Sequence, residues 1–525
     1  MPKIKDITPN NVLLIPARDR FILPDMEMAQ VRGGWATGAT EQKKGSNILD
    51  QNLRVVRPGG DIQKAIDELD LLDGGIVHLV AGTHRPGANI TLYSNIIFEG
   101  EGIGNTIIDF DANANNISFL GTVRTSAGNA TATEGSATVS GSSTSFTSAS
   151  AGDFFVILPL TGSTNFISEI LSIESDTSLT LVDAWPMATR TNGTFQIINM
   201  NSNSAIKNFT IKDSGHATAS LDIRRARNFR AENIYVYNNS TSDGITIAQL
   251  FDSEFRNCES SYNGDEGWYV SGLRKVSFYD CSAIGNAGNG FQIDNVIANT
   301  VQGTLYSCVA DGNTGDGYNI IGSNLNFFNC HAKDNDADGF DFGGDESTLV
   351  GCVAINNASN GIEVGSTADN NSIINCITSG NDSGIGINIV ASANNTRIID
   401  IVTSETTAIS DGGTDTFYEN IGAGTFTASN GANNNIDIDE IRFVRISGPT
   451  AAFSISGVTA GINGKEVYLY NSTGQDMTIT NDATSTAANR ILTLTGADVV
   501  LTGTSVARII YNLTDARWIL VGTQG

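Results

Sequence analysis

Six cysteines stand at positions 258, 281, 308, 330, 352 and 376, and the chain has no others. Their spacings of 23, 27, 22, 22 and 24 residues are a repeat period, not the irregular frame of a disulfide scaffold. Aligned on cysteine, the segments read SEFRNCESSYNGDEGWYV, VSFYDCSAIGNAGNGFQI, GTLYSCVADGNTGDGYNI, LNFFNCHAKDNDADGFDF, STLVGCVAINNASNGIEV and NSIINCITSGNDSGIGINI. Asparagine occupies the fifth place after every cysteine (Asn263, Asn286, Asn313, Asn335, Asn357, Asn381). Glycine occupies the ninth in five of the six (Gly267, Gly290, Gly317, Gly339, Gly361), and the sixth segment, one residue longer, uses Gly386. Short strands around one polar turn per period predict a solenoid, in which each unit buries its apolar face only by stacking on its neighbours.

This frame decides how DNDADGFDFGGD, residues 334 to 345, is read. Alone, it places Asp334, Asp336, Asp338 and Asp345 like the ligands of an EF-hand calcium loop. The other segments keep the frame whether or not they carry carboxylates, with Glu266, Asn289, Asp316 and Asn360 where Asp338 stands. The DG pair is therefore a turn before a strand. No cofactor is expected, apart from an incidental calcium ion on the Asp334 to Asp338 turn.

Alternation by two assigns the faces. After each glycine the first and third residues are apolar, from Trp268 and Val270 to Ile387 and Ile389, and should stack inside. The cysteines and the small residue two later (Ala283, Ala310, Ala332, Ala354) also point inward, as packed small hydrophobes and not as redox thiols. The asparagines form a corner ladder whose stacked amides satisfy the turn backbone. Near the start, GGDIQKAIDELDLLDGGIVHLVAGTH predicts a short helix capped by Asp61. Its Ile62, Ala65, Ile66 and Leu69 share one face, a plug for the open end.

The Asn corner, the inner apolar stacks and this capping helix resemble the right-handed parallel β-helix of the pectate-lyase-like superfamily. The resemblance covers about residues 55 to 120 and 201 to 420. The expected fold is all-β: a right-handed single-stranded parallel β-helix with an inserted small β-domain and a C-terminal antiparallel β-domain. Coil register vanishes between 122 and 200, where GSATVSGSSTSFTSASAGDFFVILPL alternates like an antiparallel module. From 421 the composition shifts to hairpin-spaced strands of sandwich type. Both segments look like modules of phage tail fibres and tailspikes. That likeness implies a homotrimer located in the virion tail, with residues 1–54 as the attachment region, 55–121 as cap and first coils, 122–200 as insert, 201–420 as body and 421–525 as C-terminal domain.

Charge narrows the partners. The formal net charge is −26, and residues 231–420 hold 25 Asp and Glu against 5 Lys and Arg, 20 net negative charges. Such a surface repels nucleic acid and anionic membranes. The start, MPKIKDITPNN, has no apolar signal core, and no run of eighteen apolar residues occurs, so membrane insertion is not expected.

The outward residue two after each glycine gives a polar stripe: Thr246, Tyr269, Gln292, Asn319, Asp341, Glu363 and Asn388, preceded by Asp222. The resemblance implies that a saccharide chain lies on this face, the expected partner being a bacterial surface polysaccharide. Asp222, Arg224, Tyr269, Gln292, Asn319 and Asn388 are the expected binding residues. Asp341 and Glu363 fall on successive coils, about 5 Å apart, the separation of a retaining glycosidase pair. Asp294, on the order of 10 Å away, would suit an inverting partnership. Binding of that polysaccharide is the leading expectation, with endolytic hydrolysis by Asp341, Glu363 and Asp294 as the candidate chemistry of the same face. A non-catalytic adhesive fibre is one alternative. The other is a free-standing polysaccharide lyase or epimerase, with Tyr269 as base and Arg224, Arg225, Arg274 and Lys275 as cations. His78, His84, His216 and His331 share no motif, so no metal site is expected from them. Neither a phosphate-binding loop nor a Ser-His-Asp elbow is legible.

Overall fold

The computed structural model describes residues 52–157, 166–294, 303–419, 423–438, 441–459, 461 and 463–524. The predicted attachment region therefore lies, except for Asn52, Leu53 and Arg54, outside the described residues.

The cysteine segments are rungs of one ladder. Thirty-two strands join in a single sheet whose neighbours pair in parallel, each strand bonded to its counterpart one coil away. The fold is a parallel β-helix. At its start the helix Ile62–Asp70 buries Ile62, Ala65, Ile66 and Leu69, with Asp61 accepting from the Lys64 amide at 3.0 Å.

Inside, Trp268, Phe291, Tyr318 and Phe340 stack along successive coils, with ring centroids 5.7, 5.0 and 4.6 Å apart. All six cysteines are buried and free. Burial pushes the Cys258 and Cys281 thiols well above their usual range, which fits packing and not redox chemistry.

The asparagine ladder is closed as well as continuous. From Asn263 to Asn357, each side-chain amide donates to the next coil's asparagine oxygen at 2.9 Å. That oxygen also accepts the backbone N–H of the preceding coil's asparagine, as from Asn313 to Asn335 at 3.1 Å. The amide's second proton reaches a backbone carbonyl, Ala283 in the case of Asn313. Glu405 ends the row, accepting from Asn381 at 2.6 Å. A second ladder, not read from the sequence, marks another corner. Asn257 donates to Asn233 and Asn233 to Asn208, all three with φ between 47° and 63°, the left-handed region that asparagine tolerates.

The ninth-position glycines are required by space. A Cβ on Gly339 would lie 2.5 Å from the Gly361 carbonyl oxygen and 2.9 Å from the Ala354 Cβ, and Gly290 and Gly317 meet the same pair of neighbours. The calcium-loop pattern is this coil turn. Asn335 is spent in the ladder, Asp334 pairs with Lys333 at 2.7 Å, and Asp338 accepts the Asn360 amide at 2.6 Å.

The insert leaves after strand Ile117–Leu120 and returns at Asn201, while Leu221–Arg224 pairs with that strand as if nothing intervened. It forms an eight-stranded sheet whose neighbours pair antiparallel. Phe154 packs edge-on against Phe251 of the solenoid at 5.2 Å, and Asp183 faces Arg274 at 3.7 Å.

The C-terminal domain has two sheets over one core that includes Val444, Ile446, Leu469 and Trp518. Its antiparallel pairing is present where Glu466–Asn471, Ser505–Asn512 and Arg517–Gln524 adjoin. Its first half differs from the hairpin spacing expected: Ala423 lies opposite Phe443 and Phe443 opposite Tyr468, in parallel. Parallel, coil-like progression thus continues here without cysteine.

Candidate functional site

The predicted stripe is one register line. Asp222, Thr246, Tyr269, Gln292, Asn319, Asp341, Glu363, Asn388 and Ser410 lie opposite one another in succession. Its two ends differ. Asp222 and Thr246 are 6% and 3% exposed. Arg224 donates to Asp222 at 2.6 Å, yet burial still pushes that carboxyl up. Asp222, expected to bind ligand, lies buried beneath a half-exposed Arg224 that pairs with it. The half-exposed run extends from Tyr269 to Asn388.

In the coils from Thr246 to Glu363 a second polar row flanks the first, three residues earlier and just before the glycine. The rows bond across: Thr246 to Asp243 at 2.8 Å, Asn289 to Gln292 at 2.8 Å, Asn319 to Asp316 at 3.0 Å and Asn360 to Glu363 at 2.9 Å. The Asp341 coil breaks the pattern, because its flanking residue is Asp338, another acceptor. Asp316, one coil back, and Glu363, one coil on, add two more acids. Burial first, then the charges of Asp316, Asp338 and Glu363, push Asp341 up to about 7. Glu363 sits differently: its Oε2 accepts from Asn360 at 2.9 Å and from Asn388 at 3.1 Å. One acid is crowded by acceptors and its neighbour is held by two donors.

Asp294 belongs to a separate network. It accepts from the Tyr269 hydroxyl at 2.8 Å and from the Gln292 amide at 2.7 Å, and it is not among the charges acting on Asp341. Burial first, then this bond, push the Tyr269 hydroxyl up to about 12. Arg274, one of the cations offered to a uronate, lies over the Phe251 ring and faces Asp183 of the insert.

Among the described residues, one group gathers three acids within cation reach. Ligand atoms of Asp243, Asp265 and Glu266 lie within 4.8 Å of one another, and burial together with Asp265 pushes Glu266 up to about 8. The Asp334 to Asp338 turn, expected to hold an incidental ion, does not gather its acids in this way. His78 bonds Glu99 and Glu101, which hold its pKa above the ordinary value, and His331 is exposed.

The flanking row was in plain view as the residue before each glycine, but turn chemistry explained it fully. Only the fold brings Asp316 and Asp338 against Asp341.

Residues 196–347 match the family model described as a right handed beta helix region, which gives the coil its hand. No curated protein matches the sequence. Among solved structures, the chain is similar to the tailspike protein gp49 from Pseudomonas phage LKA1, at 13% identity and a TM-score of 0.47, covering 82% of this chain and 73% of that one. It is similar to the A-module of an Azotobacter vinelandii mannuronan C-5 epimerase, AlgE4, at 15% identity and TM-score 0.43, over 75% and 88% of the two chains. A third is the Gp54 tailspike of Acinetobacter baumannii bacteriophage AP22, solved with a capsular saccharide, at 11% identity and TM-score 0.38, over 80% and 77%. These likenesses concern the fold.

Proposed function

We propose that this chain is a tailspike-like virion protein that binds a bacterial surface polysaccharide along the Tyr269 to Asn388 run and hydrolyses it there. The observation that carries the reading is the contrast between Asp341 and Glu363, neighbours in register with opposite surroundings. Splitting two carboxyls in this way is what acid and nucleophile roles require. Strand neighbours stand about 4.8 Å apart, the spacing of a retaining pair. Asp341, protonated near neutrality, gives its proton to the glycosidic oxygen as that bond breaks. Glu363 attacks the anomeric carbon and forms a glycosyl ester. Water then displaces Glu363 while Asp341 takes the proton back. Gln292, Asn319 and Asn388 offer amides to sugar hydroxyls on either side. The resemblance of the insert and the C-terminal strands to tailspike modules supports a homotrimer attached to the virion through residues 1–54.

The test is incubation with capsular and lipopolysaccharide glycans, products being read by mass. Shortened chains gaining one water per cut support the reading, and Asp341→Asn and Glu363→Gln should each lower reducing-end release by at least a hundredfold while glycan binding persists. Unsaturated products absorbing in the ultraviolet would replace it with a lyase. Binding without any product, in the parent as in both variants, would leave an adhesive fibre.

A further inference from the structure

The face that flanks the corner at the cysteines is unlike the stripe. Its outward row two before Cys281, Cys308, Cys330, Cys352 and Cys376 runs Tyr279, Tyr306, Phe328, Val350, Ile374, and its row one after runs Ser282, Val309, His331, Val353 and Ile377. None of these is buried, and Ile377 is 41% exposed. Two features say what suits this surface. First, at the positions four and two before and one after Cys281, Cys308, Cys330, Cys352 and Cys376 there is no Asp, Glu, Lys or Arg, in a segment carrying 20 net negative charges. Second, the rings lie flat on one another along the coil axis, Tyr279 on Tyr306 at 4.9 Å and 4°, Tyr306 on Phe328 at 5.1 Å and 13°. Arg256 covers the free face of Tyr279 at 4.0 Å. The ring faces on which a sugar would stack are thus occupied, and only edges point outward.

We infer that this corner is where copies of the chain pack against one another, the row before the corner in one copy meeting the row after it in the next. This rests on the trimer reading above and names its face. Two bodies of like charge meet at least electrostatic cost through surfaces without charge, whereas a cationic partner would be drawn to the acidic faces. The rows lie on either side of a left-handed corner residue, such as Ser307 or Asn329, both with φ of 52°. Each copy therefore offers two different uncharged rows, the kind of heterologous contact that forms a ring when its rotation closes.

Light scattering on the eluting full chain should give three times its 55.3 kDa. Phe328→Asp with Val353→Asp should reduce this to one chain with unchanged circular dichroism, and Ile377→Lys, at the more exposed site, should raise the dissociation constant at least tenfold. Folded variants that assemble like the parent overturn the face and leave the trimer standing. A monomeric parent overturns both, and neither result bears on saccharide cleavage, which is read separately at Asp341.

Discussion

At the scale of single residues, Asp341 combines two consequences of one environment. A general acid must be protonated, so hydrolysis should fall as pH rises through about 7, where Asp341 loses its proton. The same shift has a sign for stability. A carboxyl whose pKa is higher folded than unfolded opposes folding above the lower value, increasingly until the higher one is passed. Asp341→Asn should therefore stabilise the chain at pH 8, by about 1 to 2 kcal/mol after discounting solvent screening, and change little at pH 4. Urea midpoints at the two pH values check this; a variant less stable at pH 8 than the parent would show the acids are not in conflict. Asn335 gives the opposite case. Its side chain serves the Asn313 amide and backbone N–H while donating to Asn357 and Ala310. Asn335→Ala orphans two buried donors, about 2 to 4 kcal/mol, measurable as a lowered midpoint.

At the scale of the element, the coil is set by steric fit as much as by hydrogen bonds. Gly339→Ala drives a Cβ into the Gly361 carbonyl and should cost about 2 to 3 kcal/mol by overpacking, whereas Gly87→Ala, with nothing within 4 Å, should be close to neutral. Thermal melts of the two variants compare them directly; equal melts would mean that adjacent coils can spread. Much of the coil was legible in the sequence, because cysteine, asparagine and glycine recur at equivalent positions of successive coils. The parallel half of the C-terminal domain was not, since its strands carry ordinary β-formers and no corner residue fixes a period. Nor was the burial of Asp222 and Thr246, which alternation alone had placed on an open face.

At the scale of the whole molecule, charge governs association. If copies meet through the uncharged rows beside the corner while their acidic faces repel, assembly should tighten as sodium chloride rises from 0.05 to 0.5 M, because repulsion is screened beyond about 4 to 14 Å over that range. Sedimentation at both salt concentrations tests it, and weaker assembly at high salt would point to ion pairs across the contact instead. The sequence by itself determined the repeat, the inward and outward faces and the adjacency of Asp341 to Glu363, because a strand alternates strictly and a constant period keeps equivalent positions in line. Only the tertiary structure decided which parts of the stripe stay open, how Asp316 and Asp338 crowd Asp341, and which ring faces are covered. Those depend on distances between coils and on what the insert and the turns lay over them, and no local pattern of residues encodes such distances.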